Sequence, residues 1–405
     1  MSVDIEYDLT SPEYRHNPYP VLRSMQDRDP IHFSRQWNAW LITRYEDVAA
    51  GLAHPGISAD RITPRLNQLP ESGRTQFQPL ARMLSQWPLM ADPPAHAALR
   101  SPVTDSMSQR VIESFRPLVT RTVTTILDSA LASGETDAVA HLAVPLPLYV
   151  VSEIIGVPQE SRGLLKQSAV DIVRFLGTPP ATYLPMAGAA LRSLDEATEY
   201  LQGLVAHRKS MPRHDLISVL LSDKGTSEEQ VVATCVMMIF AGFETTSNLL
   251  ANGLLLLLRN PEQLALLRER PELLPSAIEE MLRVESPVQR LSRMATTDLE
   301  LGGKHIRSGD LVFFMTGAAN RDPAAFDRPE HFDITRDHHR NLAFGSWIHT
   351  CPGSGLARME AEITFGELLR KASDIRLSEE SVTWQENLSV RALEKLTVVF
   401  GKDGR

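Results

Sequence analysis

Two cysteines, Cys235 and Cys351, are all that the 405 residues contain. Such scarcity excludes a disulfide framework and fits a reducing compartment. It also excludes a fused iron–sulfur domain of the usual kind, which needs four thiolates. Basic residues are in deficit too: Lys and Arg total 41 against 50 Asp and Glu, a net charge of −9, without the basic block that nucleic acid demands. No apolar run is long. The most apolar stretch, residues 231–243, stops at Glu244 and is too short to cross a bilayer. Residues 1–15 carry several acids and no apolar core, so they form neither a secretory signal nor an anchor. No glycine-rich dinucleotide fingerprint lies between a strand and a helix. The expectation is a cytoplasmic chain with no membrane and no nucleic-acid partner, which draws any electrons it consumes from another protein.

What is present is globular: 43% hydrophobic and 22% charged residues, with 27 Pro and 22 Gly dispersed along the chain. The segments IHFS and AWLIT read as two short strands around a turn at Gln36 and Asn38, and helical spacing dominates from Tyr45 onward. Amphipathic helices are predicted over 97–131 and 148–155. Gly177, Pro179 and Pro180 break a helix ending near Leu176 before another over 187–208. Thr226 or Ser227, followed three residues later by Glu229 or Gln230, forms a capping box for a helix that runs to Asn260 and Pro261. Its roughly 32 residues span about 48 Å, enough to cross a domain. LELGG, KHI and LVFFMT, separated by glycine turns, predict a small antiparallel sheet, and a final hairpin is expected to include 396–400. No repeat or linker divides the chain, so residues 1–405 are expected to form a single, mainly α domain with small β-sheets.

Cys235, alone on an apolar helix, reads as a small buried hydrophobe. Cys351 stands differently, in the loop Phe344-Gly345-Ser346-Trp347-Ile348-His349-Thr350-Cys351-Pro352-Gly353 ahead of a helix. Backbone N–H groups in a tight loop and at a helix N-terminus favour thiolate over thiol. This segment resembles the heme-binding loop of the cytochrome P-450 family, with Phe344, Gly345, His349, Cys351 and Gly353 at matching positions. The resemblance extends over nearly the whole chain. It implies that Cys351 ligates the iron of heme b, and that a long central helix crosses over the heme in a cytochrome P-450 fold. Two departures stand out. Trp347 replaces the usual second glycine, so either the backbone shifts or the indole stacks beside the loop and shields the sulfur. Pro352, lacking an N–H, cannot donate to that sulfur.

Three further segments carry chemistry. Ala241-Gly242-Phe243-Glu244-Thr245-Thr246, taken alone, reads as a helix kink or an interhelix contact. Beside Cys351 it is similar to the family's oxygen-activation motif, which makes Glu244 a proton exchanger and Thr245 the hydroxyl that positions water or bound oxygen. Glu280 and Arg283, spaced i and i+3, read alone as a solvated ion pair. Followed by Asn320-Arg321-Asp322-Pro323, Phe326, Pro329 and Phe332, they match the family's structural brace instead. A lone His or Arg is usually a surface residue, yet His96 and Arg100, after Asp92-Pro93-Pro94, match the family's propionate partners together with Arg293 and His349.

The resemblance implies a heme-thiolate monooxygenase that activates dioxygen to hydroxylate or O-dealkylate a small to medium hydrophobic substrate, aromatic or terpenoid in character. Phe175, Met237, Phe240, Ala241, Val288, Leu291 and Val390 are candidate pocket residues, though core packing accounts for the same apolar set. Electrons are expected from a separate ferredoxin and ferredoxin reductase, docked on a basic patch including Arg110, Arg340 and Arg358. A peroxide-driven oxidase and a non-catalytic heme sensor or carrier are the alternatives.

Overall fold

The computed structural model describes residues 6–177, 183–223, 225–337, 340–378 and 382–401. The chain divides into two compact units: residues 1–57, 116–146 and 245–405 form the first, and 58–115 with 147–244 the second.

The first unit is organised around a five-stranded sheet in the order Ile31–Ser34, Ala39–Ile42, Leu311–Phe314, Leu291–Ala295, Ile57–Ser58. The two N-terminal strands pair antiparallel, Ile31 opposite Ile42, as the sequence predicts. LVFF behaves otherwise. Leu299–Leu301 and Lys304–Ile306 make a separate two-stranded hairpin, whereas Leu311–Phe314 leaves it to run parallel to Ala39–Ile42 and antiparallel to Leu291–Ala295. All four of its residues are buried, and such an unbroken apolar strand requires cover on both faces, which only a central position supplies. The C-terminal hairpin differs as well. Thr397–Phe400 is the middle strand between Glu135–Asp137 and Ile375–Leu377, while the short Thr383–Trp384 and Leu393–Lys395 strands pair with each other. A strand pairing with residues so distant in sequence leaves no local turn signal.

The second unit is helical. Arg162–Gly177, Tyr183–Ser210 and Glu228–Gly242 pack on one another through Leu165, Ile172, Leu194, Leu201, Val232 and Val236, all buried. The helix before Gly177 ends as predicted, and Pro179 and Pro180 lie outside the described residues. Ser227 caps the long helix by accepting from the Gln230 N–H at 3.2 Å. The helix covers Glu228–Arg259, 32 residues, interrupted at Phe243, where the N–H reaches the Ile239 carbonyl only at 3.4 Å. By length and composition it would cross a membrane, against the sequence expectation, but 67% of its most apolar window is buried in protein, the pattern of a core helix. Cys235 lies on it with no exposed surface, and burial pushes its thiol far above the ordinary range.

Glu280 and Arg283 on the helix Leu274–Val284 are fully buried, not solvated. Arg283 directs Nε and Nη2 to the two Glu280 carboxylate oxygens at 2.7 and 2.8 Å. Its remaining donors reach the carbonyls of Asn320, Pro329 and His331 at 2.8 to 3.0 Å. Glu280 in turn accepts from the Asp333 N–H and Arg336 Nε. Asn320 passes the restraint onward, its Oδ1 accepting from the Leu342 N–H at 2.7 Å, two residues before Phe344. The pair therefore holds the irregular segment 320–336 in place. Because removal of one partner strands a buried charge, Arg283→Leu is expected to cost about 3–5 kcal/mol. The check is thermal unfolding: a midpoint within a degree or two of the parent protein contradicts the brace.

A second buried acid lies on the helix Ser354–Lys371. Glu360 is 2% exposed, its Oε2 has no hydrogen-bond partner among the described residues, and burial pushes its carboxyl up to about 8. An acid whose pKa is raised by folding holds its proton while the unfolded chain has already lost it, so its contribution to stability falls as pH rises from about 4.5 to about 8. Glu360→Gln should remove this dependence, leaving the variant more stable than the parent by a margin that widens from pH 5 to pH 8 in parallel melts. A constant margin would refute the assignment.

Candidate active site

In the first unit the residues of the cysteine loop come together around Cys351. Its N–H donates to the Phe344 carbonyl at 2.9 Å, closing the loop, and the Gly345 N–H returns to Leu342. Gly345 takes φ 70, and a Cβ there would sit 3.5 Å from the His349 carbonyl oxygen and 3.8 Å from Leu291 Cδ1. Those distances are ordinary contacts, so it is the positive φ that calls for glycine. Trp347 opens a single 3-10 turn, Trp347–His349, with φ 57, so the backbone has not shifted to suit the bulky residue but keeps the left-handed conformation that glycine favours. Its side chain is 54% exposed, which places most of the indole in solvent rather than packed over the sulfur.

Gly353 then caps the helix Ser354–Lys371. A Cβ on Gly353 would stand 4.0 Å from Cys351 Sγ, so glycine keeps the flank of the sulfur open. Cys351 is half-buried, two residues before the positive end of an 18-residue helix, a field that favours a thiolate. Phe344 is fixed from the other side. The Arg358 guanidinium lies 4.5 Å over its ring and is itself held by Glu279 at 2.5 Å. Arg293, on the central-sheet strand Leu291–Ala295, is 3% exposed. Val288 and Val390 face each other across an isolated antiparallel bridge; Val390 is buried, whereas Val288 and Leu291 are half-buried.

In the second unit, His96 and Arg100 lie one turn apart on the helix Ala95–Ser106. His96 is 5% exposed, and its pKa is lowered by burial first and by Arg100 second, with Asp92 opposing. Asp92 is already engaged, accepting from the Ser58 hydroxyl and from the Ala59 N–H at 2.8 Å. A buried imidazole beside a guanidinium suits an anionic ligand, whose charge would offset their repulsion.

The long helix opens where the sequence motif begins. Residues 231–239 are buried without a break, yet Phe240 is half-buried and Ala241 exposed before burial resumes at Phe243. Gly242 lets the helix approach Val151, whose Cγ2 would lie 3.2 Å from a Cβ at that position. Phe240 stacks against Trp87, ring centroids 5.0 Å apart. Trp87 escaped the sequence analysis because an isolated tryptophan between loops carries no periodic signal. Phe175 and Met237 are 2% and 5% exposed, buried in helix packing rather than presented on the open stretch. Glu244 directs into the protein an Oε2 that is sealed from solvent and has no hydrogen-bond partner among the described residues. Burial pushes its carboxyl up to about 7, against the opposing charge of Arg174. Thr245 is half-buried beside it in sequence.

These donors fit an iron porphyrin. Among the described residues no three His, Cys, Asp or Glu side chains converge as a protein-only metal site, so Cys351 is a single donor of the kind that needs a macrocycle to complete the coordination sphere. His96 with Arg100 in the second unit, and Arg293 with His349 in the first, are of the type that would offset the charge of carboxylates.

The cytochrome P450 family profile matches residues 185–381. The biotin biosynthesis cytochrome P450 of Bacillus subtilis (strain 168) is 36% identical over 402 residues, covering 98% of this chain and 99% of that protein. The 6-deoxyerythronolide B hydroxylase of Saccharopolyspora erythraea is 32% identical, covering 98% of each. Among solved structures, P450BioI in complex with an acyl carrier protein ligated to hexadec-9Z-enoic acid superposes with a TM-score of 0.89 at 36% identity, over 96% of this chain and all of that one. Relatives of this kind support an enzyme rather than a sensor or carrier. The chain belongs to the cytochrome P450 family and is a monooxygenase of that family.

Proposed function

We propose that residues 1–405 work as one heme-thiolate domain that hydroxylates or O-dealkylates a small to medium hydrophobic substrate, in the cytoplasm, with electrons from a separate ferredoxin and its reductase. The observation that carries this reading is Cys351, held at the entrance of the helix Ser354–Lys371 with Gly353 keeping space beside its sulfur. Bound heme b supplies the dioxygen-activating chemistry, which thiolate donation assists. Cys351 is its protein ligand. Phe344 and Gly345 shape the loop, while His96, Arg100, Arg293 and His349 bind the propionates.

The remaining residues manage protons and orientation. Thr245 holds water by its hydroxyl. Glu244, its carboxyl pushed up to about 7 by burial, takes up and releases protons near neutral pH, where general acid–base catalysis is most effective. This pair favours the dioxygen route over direct use of peroxide, because only the former needs protons delivered in step with electrons. Phe240 and Ala241 in the second unit, with Phe175 and Met237 in the helix packing, and Val288, Leu291 and Val390 in the first unit are the apolar residues offered to a substrate.

Cys351→His is expected to abolish the strongly red-shifted Soret band of the reduced carbon monoxide complex; a parent protein without that band rules the assignment out. For the proton route, the parent kcat should change through an inflection near pH 7. Glu244→Gln should lose that inflection and fall on the order of 100-fold, and Thr245→Ala should consume electrons without matching product. A Glu244→Gln enzyme with the parent pH profile excludes the carboxyl. Soret titration with terpenes, aromatic ethers and fatty acids tests the substrate class: hydrophobic members should shift the band, and a panel without any shift removes the prediction.

A further inference from the structure

Trp347 is the least explained residue of the cysteine loop. It adopts φ 57, a conformation costly for a bulky L-residue and relaxed for glycine, yet its side chain is 54% exposed and recovers little through packing. The backbone around it is nevertheless firm. The Thr350 N–H and hydroxyl both donate to the Trp347 carbonyl, at 3.2 and 2.8 Å, and the Gly345 turn precedes it. A rigid, solvated tryptophan is a costly feature for an isolated surface, and it is the residue type most enriched where protein partners derive their binding energy.

The surrounding charge indicates the partner. Between Asp337 and Glu360 the sequence contains no acidic residue, while Arg340, His349 and Arg358 are all present. Glu279, a carboxylate that reaches this segment, is already engaged by Arg358 at 2.5 Å and Asn341 at 2.9 Å. Arg340 is exposed and makes no ion pair among the described residues. The positive end of the helix Ser354–Lys371 adds to the same field. A complementary surface is therefore acidic. Its function follows from place: the chain has no dinucleotide fingerprint of its own, and contact at Trp347, four residues before the sulfur donor, brings an electron carrier close to the group it must reduce.

Resting on the heme-thiolate reading above, we propose that Trp347 is the anchor through which this chain binds a small acidic electron-donor protein, with Arg340 steering the approach. Ferric holoenzyme is titrated calorimetrically with an acidic plant-type [2Fe–2S] ferredoxin, as the parent, as Trp347→Gly and as Trp347→Phe. Glycine preserves the backbone conformation, so a change reports the indole and not the fold. The parent should saturate, Trp347→Gly should bind about 10-fold or more weakly, and Trp347→Phe should stay within about 3-fold. Raising salt from about 0.05 to about 0.5 M should weaken the parent complex. Heme content and the Soret position of the reduced carbon monoxide complex should be equal in all three. Parent-like binding by Trp347→Gly overturns the proposal. So does a parent that does not bind the ferredoxin, or one that binds only an acyl carrier protein of similar charge through Trp347. A parent without the thiolate spectrum is a different failure, that of the heme reading itself, and takes this proposal with it.

Discussion

All five donors of the Arg283 guanidinium are committed inside the protein, two to Glu280 and three to the carbonyls of Asn320, Pro329 and His331. The described residues 320–337 include no long helix or strand, so their backbone polar groups depend on side chains brought from elsewhere. Arg283 supplies the largest share. Asn320 extends this restraint by accepting from Leu342 as well as donating to Ser286, and the cysteine loop begins immediately beyond. The position of the sulfur thus depends on a buried ion pair that takes no part in the chemistry. Such a pair is poor as a source of net stability, but it is selective, since any other arrangement of the segment leaves an ion unsatisfied.

The groups proposed for catalysis follow the opposite rule. Glu244 and Ala241 interrupt a helix that is otherwise apolar and buried, and the helix breaks at Phe243 beside them. A carboxyl in such a place must hold its proton to near neutrality, which makes it unfavourable as structure and useful as a relay. Glu360 shows that burial alone does not mark function. Its carboxyl is raised further than that of Glu244, yet its helix runs without a break from Ser354 to Lys371. Trp347 is a third local cost, paid in backbone conformation and with its side chain left in solvent.

Much of this was legible before any coordinates. Spacing placed the cysteine helix, the Ser227 cap and the 32-residue span, because caps and helical periodicity depend on neighbours a few residues away. Sheet membership was not legible in the same way. LVFF carries the same local signals whether it closes a hairpin or joins Ala39–Ile42 in parallel, and the choice rests on which distant strand covers it. Residues such as Trp87, Arg290 and Arg391 remained unremarked for the same reason. Arg290 lies over the rings of Trp37 and Phe313, and Arg391 bonds Glu285 and the carbonyls of Arg15 and His16, partners well beyond the reach of a local sequence pattern.

By itself the sequence determined the chemistry on offer: one cysteine in a loop of defined glycines, an acid and alcohol in a weakened helix, and cations at set intervals. These are properties of residue type and short spacing. Only the tertiary structure decided that Glu280 and Arg283 lie fully in the interior, that Phe175 and Met237 pack inward while Ala241 stands open, and that Trp347 keeps a glycine's backbone and points its ring into water. Burial is a property of what packs against a residue, and its neighbours in space are not its neighbours in the chain.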